Sequence, residues 1–321
     1  MDDTAPTPLP PGGQNAIAVA FGLLGDEWTL LILRYALQGV RRYQDWRGRL
    51  PISHAVLTTR LTRLTDMGLL ARSAYQQRPV RYEYRLTPRG REIWPVLVSI
   101  WGWEYRWVDG HSERLPWMRH GGCGRHMEPV MVCGGCARPV RPREVSSRLG
   151  PSGAAGRSIP SGATRRRSTA GAEGGAGLFP ETMSLIGNRW SVALLGAAFL
   201  GAHRFGEFQQ RLGAPPAMVA DRLRTFCALG VLEVSAGEPG RGSYRLTAKG
   251  RAFFPVVMTL IDWGQRWFPA PEGPALVSTH LDCGADFVPL LVCDGCGQAL
   301  YDSDVQVIGE EPAAPVPAPV R

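Results

Sequence analysis

Leu57, Leu61 and Leu64 recur at i, i+4 and i+7, a spacing that predicts a helix with one buried face. Ser53 stands where an N-cap would accept the first free amides, and Gly68 supplies the stop. Leu69 to Ala74 and Arg81 to Leu86 then read as two strands, joined at the polar, proline-marked tip Gln76-Gln77-Arg78-Pro79. Upstream, Asn15 to Leu24 and Trp28 to Leu37 are core helices by their apolar content, and Arg41-Arg42-Tyr43 opens a third. Downstream, Thr87-Pro88 is a cap followed by a first-turn proline, launching a long helix through Val108. Its apolar face, with Ile93, Leu97, Ile100, Trp101 and Trp107, is wider than so small a domain can cover alone, and Pro95 is expected to bend it.

The whole pattern occurs twice. Trp28 matches Trp190, Tyr43 matches Phe205, Arg60 matches Arg222 and Gly68 matches Gly230, all at an offset of 162 residues. After the hairpin the offset is 160, for Leu86-Thr87 with Leu246-Thr247, Gly90 with Gly250, Pro95 with Pro255 and Trp107 with Trp267. The 321-residue chain is therefore a tandem duplication whose second copy lost two residues in its hairpin. Composition divides it further: a disordered tail at 1–13, a first module at 14–110, a Cys-bearing segment at 111–141 and a Gly/Ser/Arg-rich flexible linker at 142–177. A second module at 178–268, a second Cys-bearing segment at 269–308 and an acidic, proline-rich tail at 309–321 complete the order.

The Cys-bearing segments bring in metal chemistry. His120-x2-Cys123-x9-Cys133-x2-Cys136 recurs as His280-x2-Cys283-x9-Cys293-x2-Cys296 with identical internal spacing, and takes six of the seven cysteines. One imidazole and three thiolates form a closed tetrahedral set of the kind structural zinc prefers, so each copy is expected to carry a zinc-ribbon-like hairpin holding one ion, two per chain. Reduced cysteines in a small hairpin, or a redox switch, are the other readings. His126 has no counterpart in the second copy and is expected at the surface. The leftover thiol, Cys227, reads as a small core residue, with a thiol sensor the sharper reading.

The net charge of +8 suits a polyanionic partner, and it is unevenly spread. Residues 16–110 hold 14 Arg against 8 acidic groups, whereas 269–321 invert to 8 acidic groups against one Arg. No catalytic triad, nucleotide-binding loop or open metal site is visible, which argues against an enzyme. The acidic, proline-rich start is no export signal, and the longest apolar run, near Val192 to Ala202, is too short to cross a bilayer, so a cytoplasmic protein away from membranes is expected.

Gly25-Asp26-Glu27-Trp28-Thr29-Leu30-Leu31-Ile32-Leu33-Arg34, then Arg42-Tyr43-Gln44-Asp45, the helix closed by Gly68, and Tyr82-Glu83-Tyr84-Arg85-Leu86-Thr87-Pro88-Arg89-Gly90 resemble the HxlR-type winged helix-turn-helix regulators over residues 16–108. The resemblance implies a mainly α fold with small β-hairpins, an α+β class, containing two winged helix-turn-helix domains, and a transcriptional regulator whose partner is double-stranded DNA. It also implies dimerisation through the terminal helices, which a duplicated chain can satisfy as an intrachain pseudo-dimer, with a further homodimer of chains as the rival arrangement. In the family the support helix crosses the DNA backbone, which makes Arg42 a phosphate contact. On the recognition helix the face opposite the leucines carries Thr59, Thr62 and Arg63, with Ser53 at its start. Arg60 flanks the core, equally placed for an ion pair, and Arg78 and Arg81 on the wing can reach a minor groove or phosphates. The second copy offers Arg222, Arg224 and Arg241, but Pro215, Pro216, Asp221 and Thr225 replace Ser53, His54, Thr59 and Arg63. The first module is therefore expected to do most of the reading, with an effector-sensing or protein-interaction scaffold of degenerate DNA binding as the alternative function. Operator and effector are not encoded legibly.

Overall fold

The computed structural model describes residues 5–109, 111, 114–161, 179–235 and 242–309. In the first module α1 (Ala16–Leu24), α2 (Glu27–Leu37), α3 (Tyr43–Arg49) and α4 (His54–Asp66) precede the hairpin of β1 (Leu70–Gln77) and β2 (Val80–Leu86). Then come α5 (Pro88–Arg91) and α6 (Trp94–Trp107), followed by β3 (Trp117–His120), β4 (Pro129–Cys133) and β5 (Val145–Leu149). The second copy repeats this series with α7 (Pro180–Ile186), α8 (Arg189–Phe199), α9 (Phe205–Leu212), α10 (Pro216–Ala228), β6 (Leu232–Ser235), β7 (Ser243–Leu246), α11 (Ala248–Ala252) and α12 (Phe254–Trp267). It ends with β8 (Leu276–His280), β9 (Pro289–Cys293) and β10 (Val305–Ile308). The architecture is the expected α+β one, helical modules each with a small antiparallel hairpin.

Local chemistry explains most boundaries. Ser53 Oγ accepts from the Val56 amide at the start of α4, and Thr87 Oγ1 accepts from Gly90 N at the start of α5. Leu57, Leu61 and Leu64 are all but fully buried, as their spacing required. The long helix expected through Val108 is instead two: α5 ends at Arg91, and α6 restarts at Trp94 with Pro95 in its first turn. A proline there has no amide to lose, so the chain breaks before it rather than bending at it. The second copy breaks in the same way between α11 and α12.

Three of the five sheets join one copy to the other. β3 pairs with β10, β5 with β8 and β4 with β9, all antiparallel. The registers are reciprocal under the 160-residue offset: Val305 opposes His120 while Val145 opposes His280, and Met131 opposes its own equivalent, Leu291. Each Cys-bearing segment was expected to fold as its own hairpin; among the described residues its strands pair with the other copy, while short bridges such as Arg119 with His126 and Val132 with Pro139, and the backbone bonds beside them, tie the first segment to itself. Edge strands with open hydrogen-bonding groups find partners in the equivalent segment.

The helices meet in the same reciprocal way. Trp103 Nε1 donates to Lys249 O and Trp263 Nε1 donates to Arg89 O, each at 3.0 Å. α1 lies on α12 so closely that a Cβ at Gly264 would stand 2.8 Å from Ala20 Cβ. A Cβ at Gly25 would stand 2.6 Å from Ile186 O, so the backbones cross there only because the residue is glycine. The apolar face of α6 that one module could not cover is covered by α12, and a single contiguous core holds residues from both copies.

The described parts of the tail expected to be disordered and of the linker expected to be flexible are built into the fold. Thr7 N and Leu9 N donate to Trp267 O and Pro269 O, and Gly12 N donates to Glu272, so the described part of the 1–13 tail lies along the second copy. Within the 142–177 stretch, residues 142–149 form a 3-10 turn and β5, and Ser158 Oγ and Ser152 O both accept from Asn15 Nδ2. Among the described residues no single helix is long and apolar enough to cross a membrane.

Candidate nucleic-acid interface and metal centres

The reading helix α4 is fixed from behind and open in front. Its leucine face rests on the core, and Arg60 grips Asp26 at the start of α2 with Nε to Oδ2 at 2.6 Å and Nη2 to Oδ1 at 2.9 Å. Burial pushes the Asp26 carboxyl up, but the hydrogen bonds and charge of Arg60, aided by Thr29, outweigh it and hold the group below the usual carboxylate range. Arg60 therefore works as a bidentate tie between two helices, with Nε and Nη2 committed to Asp26. Ser53, Thr59 and Thr62 remain on the exposed side. Thr59 Oγ1 donates back to Ala55 O, which leaves its lone pairs outward. Arg63 is exposed but spends Nη2 on Gly22 O at 2.8 Å, so it projects from the edge of the helix that faces α1.

Beside the helix stands the wing. β1 and β2 run in register from Leu70 with Leu86 out to Gln77 with Val80, longer than expected, with a bulge at Tyr75. Arg78 and Arg81 lie at the exposed tip. Arg42 is exposed at the start of α3 and stacks over the Tyr75 ring at 4.7 Å. The sequence reading missed Arg72, which lies over the exposed Tyr82 ring at 3.6 Å; strand alternation, pairing Arg72 with Tyr84 and Ala74 with Tyr82 on one face, was the signal that could have found it. Arg42, Arg72, Arg78 and Arg81 with two exposed tyrosines make a basic, aromatic edge of the kind that grips phosphates.

The same surface in the second copy is built differently. α10 starts at two prolines with no side-chain cap. Arg222 turns to its neighbour Asp221, which also draws Arg224 to 3.7 Å. The place of Asp26 is taken by Asn188, which has no charge to hold Arg222. Arg241 lies outside the described residues, as does the stretch 236–241.

At the opposite end, the eight expected ligands gather in two groups, but not copy by copy. His120 and Cys123 meet Cys293 and Cys296; Cys133 and Cys136 meet His280 and Cys283. In each group all four ligand atoms lie within 4.8 Å of one another. Sulfur-to-sulfur distances are 3.9 Å for Cys123 with Cys293 and for Cys133 with Cys283, and the His Nδ1 atoms stand 3.3 Å from Cys296 and 3.4 Å from Cys136. A tetrahedral zinc ion, with Zn–S of about 2.3 Å and Zn–N of about 2.0–2.1 Å, needs edges of roughly 3.8 and 3.5 Å. The donor set and its spacing therefore fit. Glycine lets the knuckles turn where the backbone is left-handed: Gly124 and Gly284, just after Cys123 and Cys283, each have a φ of 70°. The backbone amide of Arg125 lowers the Cys123 thiol to about 7, and that of Ala285 does the same for Cys283, while burial pushes Cys293 up to about 11. His126 is not at the surface; it stacks on Trp117 at 5.0 Å and touches Trp101 and Tyr105. Cys227 is half-buried and burial raises its pKa, as a packing residue requires.

Comparison with known proteins agrees with this geometry. The family model for the HxlR-like helix-turn-helix matches twice, over residues 23–112 and 185–272. An uncharacterized HTH-type transcriptional regulator of Mycobacterium tuberculosis (strain CDC 1551 / Oshkosh) is 37% identical over 125 residues, which cover 38% of this chain and 79% of that protein. Another from Synechocystis sp. is 40% identical over 91 residues, covering 28% of this chain and 67% of that protein, and one from Bacillus subtilis is 35% identical over 91 residues, covering 28% and 84%. With two matched modules, a reading helix braced by an ion pair and an arginine-bearing wing, the chain belongs to the HxlR-like helix-turn-helix family of DNA-binding transcriptional regulators.

Proposed function

We propose that this regulator is a single-chain pseudo-dimer that reads duplex DNA mainly through its first winged helix, in the cytoplasm, with two zinc ions tying its copies together. The reciprocal pairing of β3 with β10 and β5 with β8, and the shared ligand groups, carry this reading. An interface in which residue i meets j and j meets i is what a two-fold dimer has, here within one chain. Zinc would be held by His120, Cys123, Cys293 and Cys296, and by Cys133, Cys136, His280 and Cys283; its chemistry there is structural, since four protein ligands leave no open position. The unequal reading surfaces support dominance of the first module: exposed Ser53, Thr59 and Thr62 with a four-arginine edge, against an Asp221 that engages both described arginines of α10.

The test is binding of the purified chain to selected genomic fragments as salt is varied, with metal content and mass measured on the same sample. Two zinc ions per monomer and a 1:1 chain-to-site complex at all concentrations agree with the proposal. A tight homodimer of chains as the binding species, or binding unaffected by loss of Arg78 and Arg81, would move the reading to the scaffold alternative.

A further inference from the structure

A cavity of about 160 Å³ lies where the two copies and the chain between them converge. Its walls are Phe21 of α1, Val145 of β5, Phe199 of α8, and Phe254, Met258 and Ile261 of α12. An enclosed apolar cavity of about 150 Å³ lined by Leu, Ile and Phe is known to bind benzene or xenon; this one is partly open to solvent, which gives a molecule of that size a way in.

Two observations separate this cavity from a packing fault. It has a counterpart of about 330 Å³ at the equivalent place in the other copy, walled by Leu37, Trp94, Val98, Trp101 and Val305 where the first has Phe199, Phe254, Met258, Ile261 and Val145. The architecture thus makes a cavity twice, and the two copies have lined it differently. Gly196, Leu200 and Pro142 on the first wall are Arg34, Gln38 and Asp302 on the second, where Arg91 also pairs with Asp302 at 3.1 Å. The smaller cavity keeps one charged side chain on its wall, Arg211, and its polar groups are engaged. Ser147 Oγ bonds to Ser278, Ser158 Oγ to Asn15 and Ala154, and Arg211 Nη1 to the carbonyls of Ala197 and Leu200. A cation would lose its hydration there with no acidic group on the wall, and an anion would meet only Arg211, whose Nη1 is already committed to two carbonyls.

We propose that the cavity between α1, β5, α8 and α12 binds a small neutral apolar molecule, the size of one aromatic ring. Its wall helix α8 packs against α9 and α10, so a bound molecule lies beneath the second reading helix and against the chain segment that links the copies. Gly196 marks the way to block it, because a Cβ built there meets no atom within 4 Å.

The test uses the full metal-loaded chain without DNA, so its outcome is independent of whether and how the chain reads an operator. Crystals pressurised with xenon are expected to show the gas in this cavity, and fluorobenzene titrated under fluorine NMR should saturate a single site. Benzoate should bind at least tenfold more weakly. Gly196→Leu should abolish fluorobenzene binding with unchanged circular dichroism and metal content; Ala193→Leu, on the same wall, serves if that variant misfolds. Absence of xenon from this cavity, no saturation up to the solubility of fluorobenzene, equal affinity for benzoate, or undiminished binding in a folded blocking variant would each overturn the proposal.

Discussion

The two recognition-helix surfaces share a frame, and among their differences is one charge at its hinge. In the first module Asp26 caps α2 through Thr29 and holds Arg60 from the reading helix; in the second, Asn188 still caps α8 through Trp190 N but leaves Arg222 to find Asp221 on its own helix. A side chain that keeps the cap and loses the charge preserves the fold while re-aiming the helix's arginine. The capping oxygen and the ion pair are thus separable duties of one residue, and duplication let only one of them lapse.

Several changes would break or sharpen that contrast. The largest effect is expected from Arg78→Ala with Arg81→Ala: DNA affinity should fall about 10- to 100-fold at low salt, and the slope of log K against log salt should shrink by about 2, one unit per lost phosphate contact. Arg224→Ala in the second copy should change affinity less than about threefold; a loss as large as that of the wing pair would mean that both surfaces read. Next in size, Asp26→Asn should remove about 1.5–3 kcal/mol of stability, the worth of hydrogen bonds to a charged group, read as a lower urea midpoint at unchanged slope. Because the folded Asp26 pKa is lowered, this contribution is present above the unfolded value near 3.8 and disappears as pH falls through the folded value. The wild-type and Asp26→Asn urea midpoints should therefore converge in strong acid. The reverse change, Asn188→Asp, should recover up to about 1 kcal/mol by drawing Arg222 away from Asp221. Smallest of all, Asp221→Thr should raise DNA affinity about two- to threefold by removing an acidic group from the helix face, measured by fluorescence anisotropy at fixed salt.

Much of this molecule was legible because its signals are local. Leucine spacing on α4, the Ser53 and Thr87 caps and the wing strands each depend on a few neighbouring residues, and each appears in the structure. The repeat was legible through a constant offset. What the sequence did not reveal is which copy each ligand serves, for a physical reason: when two segments carry the same spacing, pairing within a segment and exchange between segments place identical residue types at identical separations. Packing decides, and the apolar strands around Met131 and Leu291 pair with each other within one shared core. The structured parts of 1–13 and 142–177 were hidden because their anchors are backbone amides and small side chains, such as Thr7 N on Trp267 O, which leave no mark in composition. That Arg63 also reaches the Gly22 carbonyl was not legible, because this acceptor belongs to a helix 41 residues earlier.

The exchange of ligands sets an order on biosynthesis. His120 and Cys123 are grouped with Cys293 and Cys296, more than half a chain later, so neither group as it stands in the structure is complete until the second copy has been made. Modules that emerge first can fold first as translation proceeds, yet the seam between them closes only when the last thiols leave the ribosome. A product truncated between the copies would leave β3, β4 and β5 without the strands that cover their edges here.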